Sequence, residues 1–413
     1  MSPGSTQMAL PKMPAYVIVM LVVFTLSGIA TFIAGLTGPD PLRTWQAYLV
    51  NFLFWTGLAF GAVLFVAILN VTGALWGRPL KRIAEAFAAF LPVSFLLFWL
   101  LYFGRMELFP WLTYPVVEKA SWLNTSFLFV RDGFGLLLLT TVSVALVFFS
   151  VKADRESGIH LTNNGYDKDM DHNEGCAIRN WRRQKILSPI VIIAYSFVLT
   201  LLAFDLIMTL DPHWYSTLFG AYFLVGSFYT GVAAIYLYAL ATQTWKLVKY
   251  RGQRQLHDLG KLTLAFCLFT GYLFYAQFLT IWYGNVPSET QYIILRVRGT
   301  YWEPVAWLIL FMIFVVPFIV LLSKRIKVKR LPMIILSLII LAGMWLERFV
   351  LVAPSLWRKK ELPLGLPEML ITAGFAGILG LCLCWFMQRV PLAPISDPLF
   401  RELVDRKERR LEP

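Results

Sequence analysis

Three short groups of ionisable residues, Arg131-Asp132, Asp205 and Glu347-Arg348, interrupt stretches of sequence that are otherwise apolar. If those stretches lie in hydrocarbon, each charge costs at least about 2.5 kcal/mol on insertion scales and needs a partner or water. A carboxylate there can load and release a proton, since burial raises its proton affinity and a nearby arginine lowers it. Asp205, Asp132 and Glu347, with Arg131 and Arg348 at comparable depth, are therefore the candidate proton path. The competing assignment for Asp205 is a structural ion pair with Arg131 or Arg348, and the two roles are compatible.

A second group, Asp211-Pro212-His213-Trp214-Tyr215, follows Asp205. Histidine titrates near neutrality and the two aromatics could form an apolar slot, so His213, Trp214 and Tyr215 are candidates for an apolar ligand pocket or proton exit. Asp211 before Pro212 has the pattern of a helix N-cap followed by a first helical residue. Glu303 and Glu368 stand where helices should start and complement the positive dipole end. Toward the other ends of the spans the polar residues are mainly hydroxyls such as Thr140, Thr141, Tyr195, Ser196, Tyr236 and Tyr238, with Glu85 and Asp258 only at helix ends.

Other chemistries lack their residues. His160, His172, His213 and His257 fall in loops or at helix ends, where a bis-histidine haem could not be held. Cys382 and Cys384 sit within one apolar run, Cys267 in another and Cys176 in a polar loop, which gives neither a haem attachment motif, a cluster ligand set nor a disulfide framework. No metal site and no catalytic residue is expected in this chain, and no phosphate-binding loop or His-Glu-x-x-His helix occurs.

The elements that must position these residues are membrane helices. With 58% apolar and 15% charged residues, the chain cannot bury its apolar surface as a soluble protein. Apolar segments long enough to cross hydrocarbon number ten. Helices two, three and five are expected to open near Tyr48, Ala84 and Leu187, and helix six to run to Trp245. The basic residues lie in short runs between the segments, so the net charge of +13 reflects membrane topology and not nucleic-acid binding. Of 37 Lys and Arg, 26 fall on one side and 8 on the other, which places both termini in the cytoplasm of a bacterial inner membrane. The polar stretch from Lys152 to Gln184, with Asn163-Asn164-Gly165, reads as irregular structure.

An internal repeat is suggested by pairings four helices apart. Asp205 and Glu347 each precede a proline, Pro212 and Pro354, by seven residues; Tyr102-Phe103-Gly104 matches Trp282-Tyr283-Gly284; Gly61 matches Gly231. An even shift makes the repeat parallel. The expected organisation is an all-α integral membrane protein, with residues 14–36 a first peripheral helix, 48–211 and 217–354 two four-helix bundles, 367–388 a last peripheral helix and 389–413 a cytoplasmic tail.

The stretch Asp205-Leu-Ile-Met-Thr-Leu-Asp-Pro-His-Trp-Tyr-Ser-Thr-Leu-Phe-Gly220 resembles the motif joining helices five and six in the large membrane subunits of bacterial alternative complex III, relatives of the NrfD-like membrane subunit of polysulfide reductase. Of the two paralogous subunits there, the modest length and short tails look more like ActF than ActC. The resemblance implies a cofactor-free subunit of a menaquinol:cytochrome c oxidoreductase that gives structural support and a proton path, with menaquinone a candidate ligand. Iron–sulfur clusters and haem c would then reside in partner subunits, beside a paralogous NrfD-like subunit and lipid. Asp205, Asp211 and His213 are the residues it carries over. A secondary transporter, or an anchor whose buried charges are all helix-to-helix pairs, are the alternatives.

Overall fold

The computed structural model describes residues 13–156, 161–162, 165–166, 174–241, 253–298, 301–357 and 359–408. His160, His172, Asn163-Asn164 and the expected helix end at Trp245 lie outside these. Ten helices are long and apolar enough to cross a bilayer: α1 Ala15–Leu36, α2 Pro41–Thr72, α3 Arg78–Leu100, α4 Thr125–Glu156, α5 Gly175–Leu210, α6 Phe219–Ala241, α7 Arg254–Gly284, α8 Glu303–Leu322, α9 Arg330–Leu356 and α10 Leu366–Arg389. The chain is an all-α, multi-pass membrane protein. In hydrocarbon the helix is the form in which a single segment satisfies its own backbone, and prolines at the first turns of α2, α8 and α10 spare amides that a helix leaves open.

Several boundaries differ from the sequence reading for one reason: polar helix ends, buried as at Arg78 or exposed as at Arg182 and Arg183, carry no hydropathy signal. α2 and α3 begin at Pro41 and Arg78, and α5 is helical from Glu174 through a basic stretch. Within the stretch expected to be irregular, Leu161–Thr162 and Gly165–Tyr166 pair as antiparallel strands. A short helix, Pro287–Val297, lies between α7 and α8, and another, Pro398–Glu408, follows α10.

Helices α2 to α5 close a ring, α2 and α4 each packing on α3 and α5. Helices α6 to α9 close a second ring in which α6 and α8 each pack on α7 and α9. The rings meet through α2 on α6, α5 on α6 and α9 on α2, while α1 and α10 pair with each other beside α2. Glu368 fastens that pair: its carboxylate takes Arg43 of α2 at 2.6 and 2.8 Å and accepts the Gly365 N–H at 2.7 Å, capping α10.

At the centre, Gly61 of α2 and Gly231 of α6 touch. A Cβ on Gly231 would lie 2.5 Å from the Ala62 nitrogen, and one on Gly61 would lie 2.4 Å from the Ser227 carbonyl oxygen. Backbone packed this closely cannot yield locally, so the two helices meet only because both positions lack a side chain. Gly231→Val should cost on the order of 1–3 kcal/mol through forced overpacking. The check is a lowered thermal midpoint of the detergent-solubilised protein, with Gly284→Ala, whose Cβ would meet nothing within 4 Å, as the control.

Candidate functional site

On the side opposite the termini, Asp205 of α5 is fully buried and Arg131 of α4 grips it with two hydrogen bonds, Nε to Oδ2 and Nη2 to Oδ1, both 2.5 Å. Trp122 adds an Nε1–H bond of 2.9 Å to Oδ1 and lies 3.8 Å beneath the guanidinium. Of the two arginines expected to reach Asp205, Arg131 does so; Arg348 pairs elsewhere. Asp132, next along α4, is 1% exposed; no amide, hydroxyl or cation donates to its oxygens, and its side chain meets the Asp205 carboxyl. The charges acting on it are Asp205 and Arg131. Two carboxyl groups thus share one guanidinium in a site screened from water, an arrangement whose charge balance changes with a single proton.

The same ring holds more buried polar atoms with no hydrogen-bond partner among the described residues: the Gln46 amide near the outer end of α2 and, deeper, the Thr56 hydroxyl of α2, the Ser94 hydroxyl of α3 and the Thr140 and Ser143 hydroxyls of α4. At 1.5 Å per residue, Thr140 and Ser143 stand roughly 12 and 16 Å along α4 from Asp132.

The ring ends, on the terminus-bearing side, in a cluster that the sequence reading missed. Arg78, Lys81, Arg82 and Glu85 at the start of α3 were expected in a loop or at a helix end, yet all are buried. Arg82 binds Glu85 and Asp154 of α4. Arg78 donates to Asn70 at 2.7 Å and Lys81 to Gln184 at 2.9 Å, and both reach one oxygen of Asp397, at 2.9 and 2.8 Å. Burial alone would raise the Asp397 carboxyl, but Lys81 and Arg78 outweigh it and hold the group below the usual carboxylate range. Ser396 donates its backbone N–H to Asp154 at 2.8 Å. The segment expected as a tail therefore folds back into the protein. The available signal was the i, i+3, i+4 spacing of the four charges with Asp397-Pro398 as a helix start.

In the second ring, Glu347 of α9 borders a largely apolar cavity of about 130 Å³, whose polar lining comes from Tyr222 of α6, Gln277 of α7, and Tyr292 and Arg296 of the helix Pro287–Val297. Arg348 donates to Glu347 Oε2 at 2.6 Å and reaches the Phe223 carbonyl and Ser227 hydroxyl of α6 at 3.3 Å, while the Tyr222 hydroxyl of α6 also interacts with the Glu347 carboxylate. Arg296 lies 3.4 Å over the Tyr292 ring and donates to Val350 and Ser355 of α9 at 3.0 and 2.7 Å. Burial pushes the Tyr292 phenol up and the Arg296 guanidinium down, and the Tyr292 hydroxyl has no partner.

The motif after Asp205 divides between these sites. Trp214 is buried and stacks on Tyr292 at 3.7 Å, forming the second layer of the cavity wall. His213 and Tyr215 are exposed, with Lys119 5.6 Å over the Tyr215 ring. Asp211 is not an N-cap, because α6 starts only at Phe219; its carbonyl accepts the Trp214 N–H at 3.0 Å and its carboxylate acts on Tyr292 and Arg296. The cavity residues Tyr222, Gln277, Tyr292 and Arg296 were not legible beforehand, although Tyr292 and Arg296 share a helix face at i, i+4.

The family model described as Polysulphide reductase, NrfD, matches residues 36–358. Among curated proteins, none matches the chain. The match spans α2 to α9 and so contains both rings, the outer carboxylates and the cavity, while α10 and the segment after it lie beyond it.

Arg131→Ala should strand the buried Asp205 charge and destabilise the protein by about 3–5 kcal/mol, whereas Arg131→Gln combined with Asp205→Asn should recover most of that loss. Thermal midpoints of the three proteins in one detergent measure this, and equal midpoints for wild type and Arg131→Ala would sink the pairing.

Proposed function

The chain belongs to the polysulphide reductase NrfD family, whose members are membrane subunits of quinol-linked redox complexes, and from that premise we propose that it is the ActF-type subunit of a bacterial alternative complex III. Family members assemble with iron–sulfur and other redox subunits. In this reading the electrons of menaquinol pass to iron–sulfur clusters and c-type haem in those partners, a paralogous NrfD-like subunit sits alongside, and this chain holds no redox group. The charge asymmetry between the loops puts both termini in the cytoplasm.

What this chain contributes is a proton route through the first ring. The observation that carries the reading is the series of buried, unpartnered polar atoms on α2, α3 and α4 between the Asp132-Asp205-Arg131 cluster and the Arg82-Glu85 cluster. Buried polar groups without a protein partner are normally satisfied by ordered water, and hydroxyls that can donate and accept pass a proton along such a file. Asp132 is its outer terminus, where a proton is held beside the Asp205–Arg131 pair. Glu85, whose Oε1 accepts no hydrogen bond and pairs with Lys81 Nζ at 3.9 Å, is its cytoplasmic terminus.

The cavity favours a second role for the same subunit. Its apolar wall suits a naphthoquinol ring, with the Glu347 carboxylate as the acceptor of a quinol proton and the unpartnered Tyr292 hydroxyl as a hydrogen-bond donor to the head-group oxygen. Trp214 supports that wall through Tyr292; His213, exposed nearby in the chain, is a proton exit.

A secondary transporter would need helices broken around a substrate site. Here the departures remain helical: a 3₁₀ turn at Phe87–Phe90 in α3 and a π turn at Phe311–Val315 in α8, where the Tyr229 hydroxyl donates to the Ile313 carbonyl at 3.2 Å.

Two variants of the complex, reconstituted in liposomes, separate these roles. Ser143→Val should preserve quinol-to-acceptor electron transfer but slow coupled proton uptake on the order of tenfold, the effect of about 1.4 kcal/mol on a barrier; unchanged proton uptake rejects the route. Glu347→Gln should cut quinol oxidation by roughly a hundredfold if it accepts the quinol proton; wild-type turnover at every quinol concentration would remove the cavity from the reaction.

A further inference from the structure

The cytoplasmic end of the first ring is closed by the chain's own carboxy-terminal segment, residues 390–406. Among the described residues the ring itself supplies three buried cations there, Arg78, Lys81 and Arg82, and pairs with them two carboxylates, Glu85 and Asp154. The missing negative charge is Asp397, which the segment inserts against both Arg78 and Lys81. Ser396 beside it satisfies Asp154, and Leu392, Phe400 and Val404 are the segment's buried apolar anchors. Asp397 also caps the helix Pro398–Glu408, its Oδ1 accepting the Leu399 N–H at 3.0 Å, so the helix and the charge cluster share one carboxylate. This is a strap whose polar contacts converge on Asp397 and Ser396 and whose apolar anchors run from Leu392 to Val404, laid across the cytoplasmic end of the ring beside Glu85.

We propose that the strap is a gate: seated on Arg78 and Lys81 through Asp397 it shuts the cytoplasmic mouth of the first ring, and its release admits water and protons to Glu85. The proposal rests on the proton route through that ring. Neutrality of the six-charge cluster favours the seated state, because withdrawing Asp397 leaves Arg78, Lys81 and Arg82 one counter-charge short unless water enters. Opening and hydration are thereby coupled, which a purely apolar seal would not do.

Asp397→Asn in the complete complex, reconstituted in liposomes, tests this. Amide exchange over residues 78–91 should accelerate by about tenfold or more, the measure of a weakened local closure. Passive proton conductance without quinol should rise several-fold, and adding Ser143→Val should return it to the wild-type level. Unchanged exchange, or faster exchange with unchanged conductance, overturns the gate. Raised conductance that Ser143→Val leaves untouched keeps the gate and rejects the route through the first ring. If Asp397→Asn does not assemble, exchange over residues 390–406 of the wild-type complex at rest and during quinol turnover decides: acceleration in turnover is expected, and equal exchange overturns the proposal.

Discussion

A polar group taken into the bilayer by this chain must find its partner within the protein, and much of the architecture follows from that requirement. Asp205 is tolerable at its depth because α4 brings Arg131 and the segment before α4 brings Trp122. The carbonyl exposed by the π turn of α8 is answered by the Tyr229 hydroxyl of α6. Even the chain terminus is recruited, since the cations that open α3 would be one charge short without Asp397. Compensation of charge, more than apolar packing against lipid, is what distinguishes one helix arrangement from another here, because lipid tails are as apolar as the side chains they would replace.

The two rings share a packing scheme and differ in chemistry. α2 and α6 stand at the centre because Gly61 and Gly231 let their backbones meet, and each then serves its own ring and its neighbour's. The carboxylates at matching places in the sequence have unlike surroundings. Asp205 has both oxygens bound by Arg131, while Glu347 has one oxygen bound by Arg348 and borders a cavity together with Tyr222. A saturated carboxylate stabilises an arrangement; a half-bound one beside a cavity can exchange a proton with a ligand. In the first ring that unsatisfied character passes to Asp132, one residue along α4 from the arginine that holds Asp205.

The sequence by itself determined the number of spans, the all-α class and the family. Each is a local or additive property: insertion depends on apolar content summed over about 20 residues, and the motif from Asp205 to Gly220 is contiguous. It also identified Asp205, Asp132, Glu347 and the two arginines as costly in hydrocarbon, since that cost attaches to each residue alone. Only the tertiary structure decided how the costs are met. Arg131 rather than Arg348 takes Asp205 across 74 residues of sequence, and Arg78 meets Asp397 across 319. Whether Arg78, Lys81 and Arg82 are loop charges or buried ones, whether Trp214 or His213 faces inward, and whether a cavity forms beside Glu347 all depend on which helices become neighbours. Neighbours are chosen by close backbone approach and by charge compensation between distant segments, and a hydropathy window sees neither.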